Sequence, residues 1–148
     1  MASLMDVFSG RIVGYSIGER MTSELAVSAL RNAIALRRPL GTIVHADRGS
    51  QFRSTVFTRS LKNNGLRGSM GRVASEGDNA MMESFHALLQ KNVLNSKTRE
   101  TRDELRIAIV TWIERTYHRR RRKRRLGKMT PIEFEAVAQA LDDARVAA

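Results

Sequence analysis

The chain has 148 residues with 26 Lys and Arg against 15 Asp and Glu, so its formal net charge is +11 and its pI is about 11.3. It contains no cysteine, which excludes disulfides and thiolate metal sites, and no apolar stretch approaches the length of a membrane span. The length suits one domain, and the positive charge favours a polyanionic partner, most often nucleic acid. We therefore expect a cytoplasmic protein that has no membrane partner.

Two short strands and a helix are predicted at the start of the chain. β-branched and aromatic residues recur in residues 2–8 and 11–18, and a Ser-Gly pair supplies the turn between them. Thr22 then stands where it can cap a helix, because the apolar residues after it recur at the 3.6-residue period. Pro39 ends that helix.

A third strand, a second helix and a fourth strand are predicted next. Residues 42–46 predict a short buried strand that places Asp47 at its carboxyl end, where ligand sites gather in open α/β sheets. Ser54 can cap a short helix, which an Asn-Asn-Gly sequence stops. Residues 66–70 can form another strand.

The next predicted helix is long and has two unlike faces. Residues 71–77 form a loop with glycine at both ends, and Asp78 is expected to cap the helix. One face carries the apolar residues Met81, Met82, Phe85, Leu88 and Leu89. The opposite face carries Asn79, Glu83, His86 and Gln90. Glu83 therefore points away from the apolar stripe, as a ligand-facing carboxylate would.

Two further helices and a basic run complete the pattern. Thr101 and Glu104 have the spacing of a capping box, and Thr130-Pro131 begins a short terminal helix. The basic segment, Arg119–Arg125, consists of seven consecutive basic residues between these helices. Its composition suits phosphate binding, since Arg and Lys pair with phosphate and release counterions, but a solvated surface loop has the same composition.

Asp47 and Glu83, with 35 residues between them, are the strongest candidates for chemistry. One carboxylate ends a strand and the other lies on a helix, so the two can converge and hold a divalent cation through hard oxygen ligands. Such a cation can activate a nucleophilic oxygen and stabilise the leaving oxygen of a phosphodiester. Taken singly, Asp47 fits an ordinary turn residue and Glu83 an ordinary solvated helix residue.

The residues around both carboxylates match motifs of a known family. Residues 45–52, His-Ala-Asp-Arg-Gly-Ser-Gln-Phe, resemble the HSDxGSQY pattern of insertion-sequence transposases, and residues 78–85, Asp-Asn-Ala-Met-Met-Glu-Ser-Phe, resemble their DNAxxESF pattern. Residues 6–15 are similar to the DLFSRRIVGW hairpin of that family, and residues 117–134 to its YNxxRxxxxLGxxTPxEF segment. The chain is identified as a member of the OrfB-type transposases, which share a DDE catalytic core with retroviral integrases.

The resemblance implies an α/β fold, namely an RNase H-like mixed sheet flanked by helices. In that fold the first strand is central and carries the first catalytic aspartate. The family pattern places this strand before residue 1, so the predicted core lacks its first, central strand. Asp6 belongs to the hairpin pattern and is expected to order the turn rather than to replace that aspartate.

The resemblance also implies the chemistry. In the family enzyme two Mg²⁺ ions, or Mn²⁺ ions, are held by two aspartates and a glutamate. They activate water to nick the element end, and then the freed 3′-OH to attack target DNA. Asp47 and Glu83 would be the second and third ligands, so the chain alone is expected to hold metal weakly and to be inactive.

Further residues are predicted to contact DNA. Gln90 stands where the family usually has Lys or Arg, so its neighbour Lys91, about 100° round the helix, is the expected contact. His118 and Lys123 replace the family's usual Asn and His. The full predicted set comprises Ser50, Gln51, Asn79, Lys91, Arg119, Arg120, Arg121, Arg122, Lys123, Arg124 and Arg125.

Two functions are compatible with this pattern. The first is the catalytic core of a DNA transposase in residues 1–118, followed by a basic segment and C-terminal helix in residues 119–148. The second is a non-catalytic DNA-binding or dimerising remnant that regulates an intact transposase. A hydrolytic RNase H-type nuclease fits the carboxylate pattern less well. We expect a homodimer built through the N-terminal hairpin, because the strands beside the missing one expose unpaired edges, and we expect no small-molecule substrate.

Overall fold

The computed structural model describes residues 1–46, 49–69 and 76–148. The chain divides into two compact units, of which the first contains Met1–Met5 with Ile12–Met82 and the second contains Asp6–Arg11 with Glu83–Ala148. The turn of the N-terminal hairpin thus belongs to the second unit, while its strands belong to the first. A domain boundary between residues 118 and 119 stays a prediction.

The first unit begins with an antiparallel pair of strands, β1 (Ala2–Met5) and β2 (Ile12–Ser16). Both strands are shorter than predicted, because the residues between them form a wide, hydrogen-bonded turn. In this turn the Asp6 carboxylate accepts a hydrogen bond from the Phe8 backbone N–H at 2.9 Å, and Gly10 has a φ of 66°. Asp6 therefore orders the turn, as predicted.

Helix α1 (Ser23–Arg37) packs against this pair of strands. Thr22 caps the helix by accepting a hydrogen bond from the Leu25 N–H at 3.2 Å, and the helix ends before Pro39, both as predicted. A Cβ atom added at Gly14 of β2 would lie 2.7 Å from the Ala33 Cβ, which is too close for two carbon atoms. Glycine at this position therefore permits the close approach of strand and helix.

The rest of the first unit is a pair of parallel strands with two helices between them. In chain order these elements are β3 (Ile43–His45), α2 (Ser50–Arg53), α3 (Thr55–Asn63) and β4 (Arg67–Ser69). Ser54 caps α3 as predicted, accepting a hydrogen bond from the Phe57 N–H at 3.2 Å, whereas the short helix α2 was not predicted. The described strands thus form one antiparallel and one parallel pair.

An apolar cluster forms the core of the first unit, and its buried members are Ala26, Val27, Leu30, Phe57, Leu61 and Leu66. Leu4 of β1 and Val44 of β3 both pack against this cluster. The prediction that residues 42–46 form a buried strand is wrong, since Ile43 is 46% exposed. The reason is that β3 pairs with β4 alone, and no other described strand lies along its second edge.

Helix α4 (Glu76–Leu89) carries the predicted two unlike faces. Phe85 and Leu89 are buried, while Glu83 is exposed. The prediction that Asp78 caps this helix is wrong, because the helix begins two residues earlier, at Glu76. A π-helical turn, Gln90–Leu94, continues the helix and was not predicted.

The second unit continues with helix α5 (Arg102–Thr111), a π-helical turn (Trp112–Tyr117), a 3₁₀ turn (Arg124–Leu126) and helix α6 (Pro131–Ala147). Thr101 caps α5 as predicted, but the Glu104 carboxylate accepts from the Glu100 N–H instead of closing the box on Thr101. A complete capping box, made by Thr130 and Glu133, begins α6. This helix has 17 residues, longer than the short helix predicted.

Aromatic side chains fill the interior of the second unit. The ring of Phe85 is fully buried and lies 5.0 Å from the Tyr117 ring, edge to face. Trp112 packs against both, at 6.1 and 5.6 Å between ring centroids. These ring contacts give Trp112 a packing role within the second unit. None of the helices in the described part of the chain is long and apolar enough to cross a membrane.

Candidate functional site

Glu83 presents a carboxylate that is available to a ligand. It lies on the exposed face of α4, two residues before the buried Phe85 and so about 200° round the helix from it. Its side chain makes no hydrogen bond or ion pair with any residue that the structure describes. Helix packing therefore holds the backbone of Glu83, while no described residue bonds to its carboxylate oxygens.

Asp47, the other predicted ligand, lies outside the described residues. The nearest described element is β3, which ends at His45 and leads directly towards it. The distance between the Asp47 and Glu83 carboxylates therefore stays a prediction. Among residues 1–46, 49–69 and 76–148, no three His, Asp or Glu side chains converge as a metal site would require.

The predicted DNA-contacting residues near these carboxylates lie in different settings. Ser50 is exposed at the first residue of α2, and Gln51 is half-buried, with its carbonyl accepting a hydrogen bond from the Ser54 hydroxyl at 2.8 Å. Asn79 lies in α4, and its side chain is outside the described part. Lys91 is exposed on the π-helical turn, whereas the amide of Gln90 donates to Asn95 at 2.7 Å.

The basic segment divides into two groups. Four of its side chains are exposed and make no hydrogen bond or ion pair with a described residue, namely Arg119, Arg120, Arg121 and Arg124. We call these the outward arginines. The other three are held within the second unit, and the sequence did not separate the two groups, because all seven residues are basic and adjacent.

The three held residues, which we call the anchoring residues, are Arg122, Lys123 and Arg125. The Arg122 guanidinium donates to the Lys128 carbonyl at 3.0 Å. The Lys123 ammonium donates to the Gly10 carbonyl at 2.9 Å and to the Tyr117 hydroxyl at 2.8 Å. The Arg125 guanidinium donates to the Phe8 carbonyl at 3.3 Å. Two of the three therefore fasten the basic segment to the hairpin turn Asp6–Arg11.

Burial changes the ionisation of the Lys123–Tyr117 pair. It raises the pKa of the Tyr117 hydroxyl to about 12, against the opposing effect of Arg121 and Arg125. Burial, together with the charges of Arg125 and Arg121, lowers the pKa of Lys123 to about 8. The Tyr117 hydroxyl thus stays protonated at neutral pH. The Lys123 ammonium donates its hydrogen bonds to internal acceptors instead of to water.

Glu135 of α6 holds the same hairpin turn from the other side. Its carboxylate accepts a hydrogen bond from the buried Ser9 hydroxyl at 2.7 Å and pairs with the Arg11 guanidinium at 2.8 Å. The rings of Phe8 and Phe134 lie 5.0 Å apart beside this pair. Sequence reasoning missed these contacts, because no local pattern links residues so far apart in the chain.

His118 stands in this network where the family usually has Asn. Its ring is buried, and its Nδ1 atom lies 3.2 Å from a Glu114 carboxylate oxygen. Burial lowers the pKa of His118, while Glu114 acts in the opposite direction. The histidine therefore serves the packing of the second unit.

The fold is that of integrase catalytic cores. The catalytic core domain of BIV integrase matches with a TM-score of 0.68 at 18% identity, over 95% of this chain and 87% of that one. The catalytic core domain of HTLV-2 integrase, solved in complex with magnesium, matches with a TM-score of 0.61 at 21% identity, over 88% and 80%. The protein is therefore of the α/β, RNase H-like class that its sequence predicted.

Two family models, both described as integrase core domain, match the sequence. One spans residues 1–76, which include Asp47, and the other spans residues 64–131, which include Glu83. The chain belongs to the integrase core domain family.

Relatives at higher identity are transposases, which confirms the predicted resemblance. The chain is 39% identical over 135 residues to the transposase for insertion sequence element IS629 of Shigella sonnei, covering 91% of this chain and 45% of that protein. It is 37% identical over 136 residues to transposase InsF for insertion sequence IS3A of Escherichia coli strain K12, covering 91% and 47%. The chain thus spans about half the length of the curated relatives it matches.

Proposed function

We propose that this chain is part of the catalytic core of a DNA transposase, which cleaves phosphodiester bonds and joins the freed 3′-OH to target DNA. The observation that carries the proposal is the pair of integrase-core matches, since together they include both predicted carboxylates. The transposase relatives support DNA as the substrate. The protein would act in the cytoplasm, where bacterial DNA is reached without crossing a membrane.

Asp47 and Glu83 would hold Mg²⁺ or Mn²⁺ through carboxylate oxygens. The exposed Glu83 side chain, which has no partner among the described residues, fits this role because its oxygens are hard donors that nothing described occupies. The metal, when bound, supplies Lewis-acid stabilisation of charge on phosphodiester oxygens. Ser50 and Gln51, just after Asp47, and Asn79, one turn before Glu83, would contact the DNA strand.

The outward arginines would bind phosphates of the same DNA. They are exposed and have no partner among the described residues, so their guanidinium N–H groups can donate hydrogen bonds to phosphate oxygens. The anchoring residues Arg122, Lys123 and Arg125 would fix the shape of the segment on which those arginines stand. Lys91, exposed on the turn after α4, would add a further phosphate contact.

Metal binding by the purified chain tests the proposed site directly. The loss of the electron paramagnetic resonance signal of free Mn²⁺ measures binding. The affinity for Mn²⁺ should fall by about tenfold or more in Glu83→Gln and in Asp47→Asn, because each change removes a hard oxygen ligand. Asp142→Asn, which alters an exposed carboxylate on α6, is the matched control and should bind like the unmodified chain. Equal binding by all four proteins would reject the two carboxylates as ligands.

The second candidate function, a dimerising and DNA-binding regulator, is favoured by the strand edges. Among the described strands β1 pairs only with β2 and β3 only with β4, while Leu4 and Val44 pack against one apolar cluster. Unpaired edges of this kind accept a strand from another chain. We propose a homodimer formed by exchange of the hairpin strands. Light scattering that reports a monomer at high concentration would reject it.

A further inference from the structure

A second set of basic residues belongs to the first unit, whereas the basic segment belongs to the second. Between residues 48 and 75 the sequence has six Arg or Lys residues and no Asp or Glu. The described members of this set are Arg53, Arg59, Lys62 and Arg67, which we call the α3 surface. We propose that the α3 surface binds the phosphate backbone of duplex DNA, independently of the metal site and of the basic segment.

The fold presents these charges to solvent. Helix α3 is fixed by Phe57 and Leu61, which are 1% and 3% exposed, and Arg59 projects about 160° or more round the helix from both. All four basic side chains of the α3 surface are exposed. The helix therefore uses one side for the core and turns a positive side outward.

A tight turn brings the end of the α3 surface back beside the helix. The Gly65 N–H donates to the Lys62 carbonyl at 3.0 Å, and the Leu66 N–H donates to the Leu61 carbonyl at 3.0 Å. Gly65 has a φ of 67°, which the turn requires and which glycine adopts without strain. Lys62 and Arg67 consequently stand on either side of one short, hydrogen-bonded turn.

No carboxylate among the described residues pairs with the charges of the α3 surface. None of its four side chains makes a hydrogen bond or ion pair with a residue in the described part of the chain. Arg11 in the second unit, by contrast, pairs with Glu135 at 2.8 Å. Arg59 and Lys62 are neighbours on the helix surface because they stand three residues apart. Like charges so placed raise the local potential, and phosphates relieve it while releasing counterions.

Duplex DNA suits this surface better than an anionic membrane does. A helix that binds in the membrane interface buries a continuous apolar face among the lipids. The apolar face of α3 is already buried in the core through Phe57 and Leu61, so Val56 is the one large apolar side chain that the helix exposes. DNA can be bound through its phosphates alone, without burying an apolar helix face in the partner.

The experiment uses the full chain and a 20-base-pair duplex, with the equilibrium constant measured by fluorescence anisotropy at several salt concentrations. Arg59→Gln/Lys62→Gln removes two charges from the α3 surface, and the matched control Arg31→Gln/Arg106→Gln removes two from exposed helical positions elsewhere. Glutamine keeps a helix propensity close to that of Arg and Lys, so both variants should fold. Both are also measured with the four outward arginines replaced by Gln.

The slope of log affinity against log salt should fall by about 1.8 in Arg59→Gln/Lys62→Gln, at about 0.9 for each lost phosphate contact, in both backgrounds. In the control variant the slope should fall by less than half as much. Equal slopes for the two double variants would overturn the proposal. So would a variant that loses binding to phosphatidylserine vesicles but keeps its DNA slope. An unaltered slope after replacement of the outward arginines alone would instead reject the DNA contact assigned to the basic segment.

Discussion

The two units of the protein have interiors of different chemistry. The first is held by an apolar cluster of Ala, Val, Leu and Phe side chains, none of which ionises. The second combines aromatic rings with Lys123, His118 and the Arg11–Glu135 pair, so charged groups lie within its packing. The first unit should therefore respond to lost volume, and the second also to pH and to the loss of single polar atoms.

The largest effect is expected in the apolar core. Leu30 is 1% exposed, so Leu30→Ala leaves a cavity and should lower the free energy of unfolding by about 2–5 kcal/mol. Leu36→Ala, on the same helix at 52% exposure, should change it by less than about 0.5 kcal/mol. Urea denaturation followed by circular dichroism measures both. Similar losses in the two variants would contradict the assigned core.

The Lys123–Tyr117 hydrogen bond should give a smaller effect in the second unit. Tyr117→Phe removes one of the two acceptors of the Lys123 ammonium and should cost about 1 kcal/mol, after allowance for solvent screening of a half-buried charge. A double-mutant cycle with Lys123→Met isolates the pair, and the coupling should also be about 1 kcal/mol. A coupling of zero would mean that the hydrogen bond contributes nothing to stability.

The division of the basic segment predicts unequal salt effects from equal charge changes. Arg121→Gln should reduce the slope of log affinity against log salt by about 0.9, because an outward arginine loses one phosphate contact. Lys123→Gln removes the same charge from an anchoring residue and should leave the slope nearly unchanged. Anisotropy titrations with duplex DNA measure both, and equal slopes would show that anchoring residues also contact phosphate.

The smallest predicted effect is the pH dependence caused by His118. Its pKa is lowered mainly by burial, with Arg11 adding to this and Glu114 and Glu135 opposing it. Below pH about 6.5 the unfolded state therefore binds more protons than the folded state, and stability falls as the pH decreases. Between pH 7.5 and 5.5 the unmodified chain should therefore lose more free energy of unfolding than His118→Gln, a comparison that cancels the contribution of His86. Urea denaturation at each pH measures the free energy of unfolding of both proteins, and parallel curves of this free energy against pH would contradict the prediction.

Local rules predicted the elements of this fold well. Thr22, Ser54, Thr101 and Thr130 each begin the predicted helix, because capping depends on residues within one turn. The exposed face of Glu83 follows equally from the helical period. Burial of residues 42–46 was predicted wrongly, since the burial of a strand depends on which strands pair with it, and that is not a local property.

The site was less predictable than the elements. Seven adjacent basic residues look alike in sequence, and only the positions of Gly10 and Tyr117 in the fold separate Lys123 from its neighbours. The two π-helical turns escaped because each differs from an α-helix by a single extra residue per turn. The approach of Asp47 to Glu83 stays a prediction, because Asp47 lies outside the described residues.

The contact of Ser9 with Glu135 joins residues 126 positions apart, and it carries a consequence for how the chain folds. Closing so long a loop costs more conformational entropy than forming a short-range contact. This cost must be met before the long-range contacts can stabilise the fold. During synthesis, the turn after the first strand waits for its partners until α6 has left the ribosome. The residues of the hairpin turn are therefore synthesised well before Glu135, the residue that holds Ser9 and Arg11 in place.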